Sequence, residues 1–176
     1  SADRIRRARE KGGAVILMYG AHLLRNGAAP LVAGLMEGGW ITHLATNGAG
    51  TIHDWEYAWL GRSTESVEEN VATGTFGTWD ETGRNIHLAL LAGALDRLGY
   101  GRALGRYIAE DGCDFPSQET LVQLVREFPA DPLAGAAADL LSILERFDIA
   151  SGRHAVTHHW KHASILAEAW RLGVPV

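Results

Sequence analysis

The amino-acid sequence predicts an α/β fold in which two parallel strands are each followed by a glycine-bearing turn and a helix. Two short apolar runs carry this prediction: residues 15–19, which Gly20 ends, and residues 41–46, which run into the turn 47–50. Runs this short, rich in aliphatic residues and followed by glycine, are typical of buried parallel strands rather than of helices. Turns of this kind at the carboxyl ends of parallel strands form a crevice where backbone N–H groups face a ligand.

Apolar spacing and helix-starting or helix-stopping residues predict the other elements. A solvated first helix carries the N-terminal cations, and we expect further helices over residues 52–60, 64–72, 84–98, 101–109, 117–128, 134–147 and 163–172. A polar turn is predicted over residues 110–116. The whole chain thus predicts a single domain, residues 1–176, with a Rossmann-like three-layer parallel sheet and a helical excursion in its middle.

The C-terminal residues 174–176 have the character of the start of a core strand. A domain rarely ends where a parallel strand begins, so we expect the natural domain to continue beyond this point. The alternative is a short edge strand at the C-terminus.

Composition excludes several classes of function. A net charge of -5 argues against a nonspecific nucleic-acid or membrane surface, because binding phosphates requires clustered cations. The one such cluster lies at the N-terminus and comprises Arg4, Arg6, Arg7, Arg9 and Lys11. No apolar stretch approaches the ~20 residues of a membrane span. The single cysteine, Cys113, cannot form an intrachain disulfide, which favours a cytoplasmic protein.

The second turn holds the strongest group of candidate site residues. Asn47 and Thr51 offer hydrogen bonds, Gly48 and Gly50 permit close backbone approach, and Asp54 could bind a ribose or a cationic substrate group. The alternative is that Asp54 only caps a helix. His53 beside Asp54 suggests an imidazole for general base catalysis, although neighbouring residues of a helix point in different directions.

The first turn offers a weaker group of candidates. Tyr19, Gly20, Ala21 and His22 end the first strand, but they lack the full GxGxxG pattern of dinucleotide-binding turns. His22 could bond a phosphate or a ribose there. The alternative is that His22 caps the following helix.

Two further groups of polar residues stay open to more than one interpretation. His154, His158 and His162 have helical spacing, but three such side chains span ~12 Å along a helix, too far for one ion, so we expect no metal site. Asp80 and Glu81 could bind a cation or a polyamine, and Arg84 a phosphate. The alternative for this loop is a helix start with an exposed salt pair.

Several of these motifs together resemble the deoxyhypusine synthase family, and more closely its bacterial relatives than the eukaryotic enzymes. The resemblance is carried by Tyr19, Gly27, the turn TNGAGTIHD at residues 46–54 and GTFGTWDETGR at residues 74–84. It implies a tetramer or dimer that binds NAD and moves an aminobutyl group from spermidine onto a lysine. The positions implied for the cofactor are Tyr19, Gly20, Ala21, His22, Thr46, Asn47, Gly48, Gly50 and Thr51.

This chain departs from the family at two points. Ile52 and His53 stand where the eukaryotic enzymes have an acidic pair, and no residue, including Lys161, matches the catalytic lysine. We therefore predict a deoxyhypusine synthase-like homo-oligomer that binds NAD or a related nucleotide and a small amine, with His53 and Asp54 as candidate catalytic residues. If active, it would be a transferase of aminoalkyl groups. The alternative is a noncatalytic nucleotide-binding or assembly module.

Overall fold

The computed structural model describes residues 1–176, and about 60% of the chain is helical. The α-helices are, in chain order, α1 (Ala2–Glu10), α2 (Ala21–Arg25), α3 (Ala29–Glu37), α4 (Gly48–Leu60), α5 (Val67–Thr73), α6 (Asp80–Leu95), α7 (Tyr100–Ala109), α8 (Gln118–Glu127), α9 (Pro132–Arg146) and α10 (Ile165–Leu172). The strands are β1 (Ile16–Met18), β2 (His43–Ala45), β3 (Gly112–Phe115) and β4 (Gly152–Ala155). One turn of 3-10 helix covers Lys161–Ala163.

The predicted Rossmann-like three-layer parallel sheet is wrong. The strands form two separate pairs: β1 and β2 are parallel, with Leu17 opposite Leu44, and β3 and β4 are antiparallel, with Cys113 opposite His154. Each strand has only three or four residues, so neither pair extends into a sheet that helices could cover on both faces. The helices α6 to α10 provide most of the core instead. Only the front unit matches the prediction: β1 and β2 are parallel and each leads into a turn and a helix, but Ile16 and Met18 of β1 are exposed and not buried as expected.

The antiparallel pair was not predicted. Strand β3 lies where we expected the polar turn 110–116, and β4 contains His154, whose spacing from His158 and His162 had indicated a helix. Cys113 and Phe115 point inward and Asp114 points outward, which is the alternation of a half-buried strand. Gly112 lies at φ +123°, and a Cβ there would collide with the carbonyl oxygen of His154. The close approach of the two backbones therefore requires glycine, and the strand was missed because it is only four residues long.

Helix ends follow the side chains that cap them. Asn47 caps α4, because its Oδ1 accepts a hydrogen bond from the Gly50 N–H at 3.1 Å. Ser66 caps α5, so this helix begins at Val67 and not at residue 64 as predicted. The helix predicted over residues 84–98 begins earlier, at Asp80, and ends at Leu95.

Helix α10 joins the two parts of the core. Its residue Leu166 belongs to the larger hydrophobic cluster, which also contains Trp55, Leu104 and Leu140. Its residues Ile165 and Ala169 belong to the smaller cluster under the parallel strands, together with Leu24, Val32, Met36 and Leu44. The position of α10 therefore fixes how the front unit sits on the helical part.

The C-terminal residues lie beside the parallel strands without forming a regular strand of their own. The N–H of Leu44 donates a hydrogen bond to the carbonyl oxygen of Pro175 at 2.9 Å. Val176 packs against both hydrophobic clusters. None of the helices has both the length and the apolar character required to cross a membrane.

Candidate functional site

Asp54, a predicted catalytic residue, lies in the core and holds the start of α10. Its side chain has no exposed surface. Its carboxylate accepts hydrogen bonds from Ser164 Oγ at 2.5 Å, from the Ile165 N–H at 2.9 Å and from the Leu166 N–H at 3.0 Å. Burial raises the pKa of this carboxyl to about 6, against the effect of these three donors. Asp54 therefore caps the start of α10, not of the helix α4 that contains it, and its catalytic role stays a prediction.

His53 pairs with a carboxylate, but the partner is Glu56 rather than the adjacent Asp54. His53 Nδ1 lies 2.7 Å from Glu56 Oε2, and Glu56 Oε1 accepts a hydrogen bond from the Thr64 hydroxyl. Residues three apart share a helix face, whereas adjacent residues do not. Sequence reasoning missed Glu56, although its spacing of three from His53 was the signal that could have identified it. The pair fixes the imidazole as a carboxylate does in acid–base sites.

A cavity of about 420 Å³ opens at the end of β2, directly against the second predicted turn. Four predicted residues line it, and they are joined there by the start of α7 and by the C-terminus: Thr46, Asn47, Gly48, Thr51, Tyr100, Gly101 and Val176. Thr51 Oγ1 lies 3.0 Å from Tyr100 Oη, so α4 and α7 are bonded to each other across the cavity wall. We call this space the turn cavity.

The turn cavity faces the start of α4. Asn47 satisfies one of the N–H groups that a helix leaves free at its first turn, and those of Gly48 and Ala49 remain without a protein acceptor. A Cβ at Gly48 would meet nothing within 4 Å, whereas one at Gly50 would collide with Thr46 Oγ1. Glycine is therefore required at position 50 because Thr46 packs against it, whereas Gly48 leaves the start of α4 open to a ligand.

The first predicted turn lies at the same end of the parallel pair but outside the turn cavity. Thr46 Oγ1 donates to the carbonyl oxygen of Tyr19 at 2.9 Å, which ties the two turns together. Gly20 precedes α2, and Ala21 and His22 form its first turn. The Tyr19 hydroxyl is buried without a hydrogen-bond partner, and burial raises its pKa. The structure thus brings the two turns side by side, with only the second one at a cavity.

A second cavity, of about 250 Å³, lies between α4, α6 and the loop that follows α5. Its polar and aromatic lining comes from distant parts of the sequence: Glu56, Glu65, Trp79, Thr82, His87 and Tyr100. Glu65 Oε1 accepts hydrogen bonds from the Gly77 N–H at 2.7 Å and from Asn70 Nδ2 at 3.3 Å. Thr82 Oγ1 is buried and has no partner. We call this space the acidic cavity.

Tyr100 lines both cavities. Nothing in the sequence pattern singled out this residue, because it lies about fifty positions after the second turn. Its place depends on the packing of α7 on α10 and α4, and its hydroxyl bonds to Thr51. The two cavities are therefore neighbours on either side of one side chain.

The residues at the start of α6 lie in two different environments. Trp79 lines the acidic cavity, whereas Asp80 and Arg84 form an exposed ion pair of 3.5 Å. The exposed salt pair that sequence reasoning left as an alternative is thus present. Asp80, Arg84 and His87 also border a cavity of about 610 Å³ between α6 and α9, whose apolar lining includes Leu88, Leu91 and Ile143.

The three spaced histidines do not share a helix face. His154 lies on β4, His158 in the loop that follows, and His162 in the 3-10 turn. His158 is fully buried between Trp55 and Tyr107, and burial lowers its pKa to about 4. Nowhere do three or more histidine, cysteine or acidic side chains come close enough to hold a metal ion.

No protein-family model, curated protein or solved structure matches this chain. What the protein does is therefore inferred from its own residues, and chiefly from the two cavities that meet at Tyr100.

Proposed function

We propose that the protein binds a phosphate-bearing nucleotide, NAD or a related one, in the turn cavity, and a protonated amine in the acidic cavity beside it. The observation that carries this proposal is that Tyr100 lines both cavities. A nucleotide and an amine bound there would be separated by one side chain. The resemblance to the deoxyhypusine synthase family points to the same pair of ligands.

The open helix start supports the nucleotide half of the proposal. The free N–H groups of Gly48 and Ala49 and the positive end of the α4 dipole favour a phosphate. Thr46, Thr51 and Tyr100 add hydroxyl groups around the same space. These residues fit one phosphate with its adjoining ribose, and about 420 Å³ is within the ordinary size range of ligand cavities.

The lining of the acidic cavity supports the amine half. Glu56 and Glu65 place two carboxylates at a space that is closed on other sides by Trp79 and Tyr100. Carboxylates and aromatic faces are the groups that hold an ammonium ion. The unpartnered Thr82 hydroxyl gives the amine a further acceptor.

The residues of the acidic cavity would position and deprotonate the amine. NAD, when bound, supplies a hydride acceptor for the carbon next to the amine nitrogen. Glu56 and Glu65 would hold the ammonium group in place. His53 does not itself line the cavity; it pairs with Glu56 through Nδ1, and Glu56 is the carboxylate of the lining suited to accept the proton of the ammonium group.

Calorimetric titration with NAD tests the nucleotide half, with Gly48→Asp as the decisive variant. An aspartate at this position suits the first turn of a helix and has open space, so the fold is retained. Its charge opposes a phosphate, and we expect NAD affinity to fall at least about tenfold. Gly135→Asp is the matched control, because Gly135 is an exposed residue near the start of α9 with equally open surroundings. Equal NAD binding by all three proteins would refute the proposed site.

Titration with spermidine tests the amine half separately. Glu65→Gln keeps an oxygen that can accept from the Gly77 N–H but removes the charge, so we expect weaker spermidine binding. The exposed Glu68→Gln on α5 is the control. Loss of affinity in both variants would indicate a general charge effect rather than a site at the acidic cavity.

A further inference from the structure

Two helices of this protein lack the packing that short helices need. Neither α1 (Ala2–Glu10) nor α5 (Val67–Thr73) contains a buried residue, and neither packs closely against another helix or strand. Isolated helices shorter than ~12–15 residues are marginal in water, and most helical stability in proteins comes from burying one face. Both helices therefore lack a surface that would stabilise them.

The two helices carry opposite charges. In α1 and its end, Arg4, Arg7 and Lys11 follow one another at spacings of three and four, which places them on one face. In α5, Glu68 and Glu69 stand in the first turn and no basic residue is present. The chain thus holds one helix of net positive charge and one acidic helix. The one ion pair of α1 joins Arg6 to Asp3 of the same helix, and Glu68 and Glu69 of α5 form none.

Each helix also exposes apolar side chains beside its charges. Ile5 of α1 is 36% exposed, and Val67 and Val71 of α5 are 53% and 59% exposed. Val67 and Val71 are four residues apart and form a short stripe on one face of α5. Burying such side chains against each other is favourable, and adjacent opposite charges would set the orientation.

We infer that α1 of one chain packs against α5 of a second copy, and that two copies make this contact reciprocally. Charge complementarity selects the second copy as the occupant, because the same chain carries both halves of the pair and does not join them internally. A reciprocal pair is a two-fold arrangement in which each contact occurs twice. This inference is independent of the proposed ligands.

Sedimentation equilibrium over a range of protein and salt concentrations tests the inference. We expect the mass to exceed that of one chain at high protein concentration and to return to it as salt screens the charges. Glu68→Lys/Glu69→Lys and Arg4→Glu/Arg7→Glu should each be monomeric. Mixed together, these two variants should associate again, because each contact then joins opposite charges.

A single control separates this contact from other effects of charge. Glu119→Lys reverses an acidic residue in the first turn of α8 and should leave association unchanged. Far-ultraviolet circular dichroism should show helicity rising with protein concentration in the wild type and in Glu119→Lys, but not in either charge-reversed variant alone. A wild type that stays monomeric, or charge-reversed variants that do not associate when mixed, would overturn the inference.

Discussion

Replacing Asp54 by alanine removes the group that holds the start of α10. Ser164 Oγ, the Ile165 N–H and the Leu166 N–H would lose their acceptor, and all three residues are buried. A buried donor without an acceptor costs about 1–3 kcal/mol. Because the three donors share one site, their losses do not add fully, and we expect the free energy of unfolding to fall by about 4 kcal/mol.

This loss is a large part of the stability of an ordinary domain, which is about 5–15 kcal/mol. For a chain of this length it corresponds to a fall in Tm of about 8–16 °C. Asp54→Asn keeps one acceptor oxygen, so it should lose less than the alanine variant. Urea unfolding followed by tryptophan fluorescence is a suitable assay, because the buried Trp55 lies in the core with its ring centroid 4.8 Å from that of Trp59.

The measurement belongs at mildly alkaline pH, where the carboxyl is ionised although burial raises its pKa to about 6. Asp139→Ala, an exposed residue of α9, is the control and should change stability by less than about 0.5 kcal/mol. An Asp54→Ala protein that unfolds within about 1 kcal/mol of the wild type would refute the structural role. Asp54 would then remain a candidate for binding a ligand.

Three further predictions concern stability and reactivity. Burial lowers the pKa of His158 to about 4, so between pH 6.5 and pH 4 the unfolded imidazole binds a proton that the folded one does not, and the contribution of His158 to the unfolding free energy should fall by up to about 3 kcal/mol as pH falls through this window. The raised pKa of Asp54 acts in the opposite direction over nearly the same window, so the test is the difference between urea titrations of the wild type and of His158→Phe, which should change by this amount between pH 6.5 and pH 4. Gly112→Ala should destabilise the fold by more than about 2 kcal/mol, because the new Cβ would collide with the His154 carbonyl and alanine disfavours this positive φ. Gly135→Ala should instead stabilise the fold by about 1 kcal/mol, because alanine favours the helix and the Cβ has open space there. Thermal melts of the two variants measure both effects. Burial raises the pKa of Cys113 to about 12, so thiol reagents should react with it only after unfolding, and rapid reaction of the native protein would contradict its buried position.

The front unit could be predicted from the sequence because its signals are local. Apolar runs followed by glycine predicted β1 and β2, whereas α4 begins at Gly48, inside the predicted turn and four residues before the helix expected from residue 52. The fold class was wrong because local patterns do not show how many strands pair. The resemblance to a family with a Rossmann-like domain led us to expect further parallel strands. The structure has none, and the helices α6 to α10 form most of the core in their place.

The candidate site was predicted in part for the same reason. Asn47, Gly48 and Thr51 do lie together at a cavity, because they are neighbours in one turn. Tyr100 could not be predicted, since only the packing of α7 brings it there. The carboxylate of Asp54 is chemically suited to bind a ligand, which is why the sequence suggested it. Its hydrogen-bond donors, Ser164 and the start of α10, are more than a hundred residues away in the sequence, so only the folded chain shows that they bind this carboxylate.

The most direct test of the proposed nucleotide site is to follow the backbone amide resonances of the folded protein during titration with NAD. We expect saturable shifts at Gly48 and Ala49, at the start of α4, and at Tyr100, with none at the exposed Gly135 of α9. Shifts confined to another cavity, or no shifts at any NAD concentration, would contradict it.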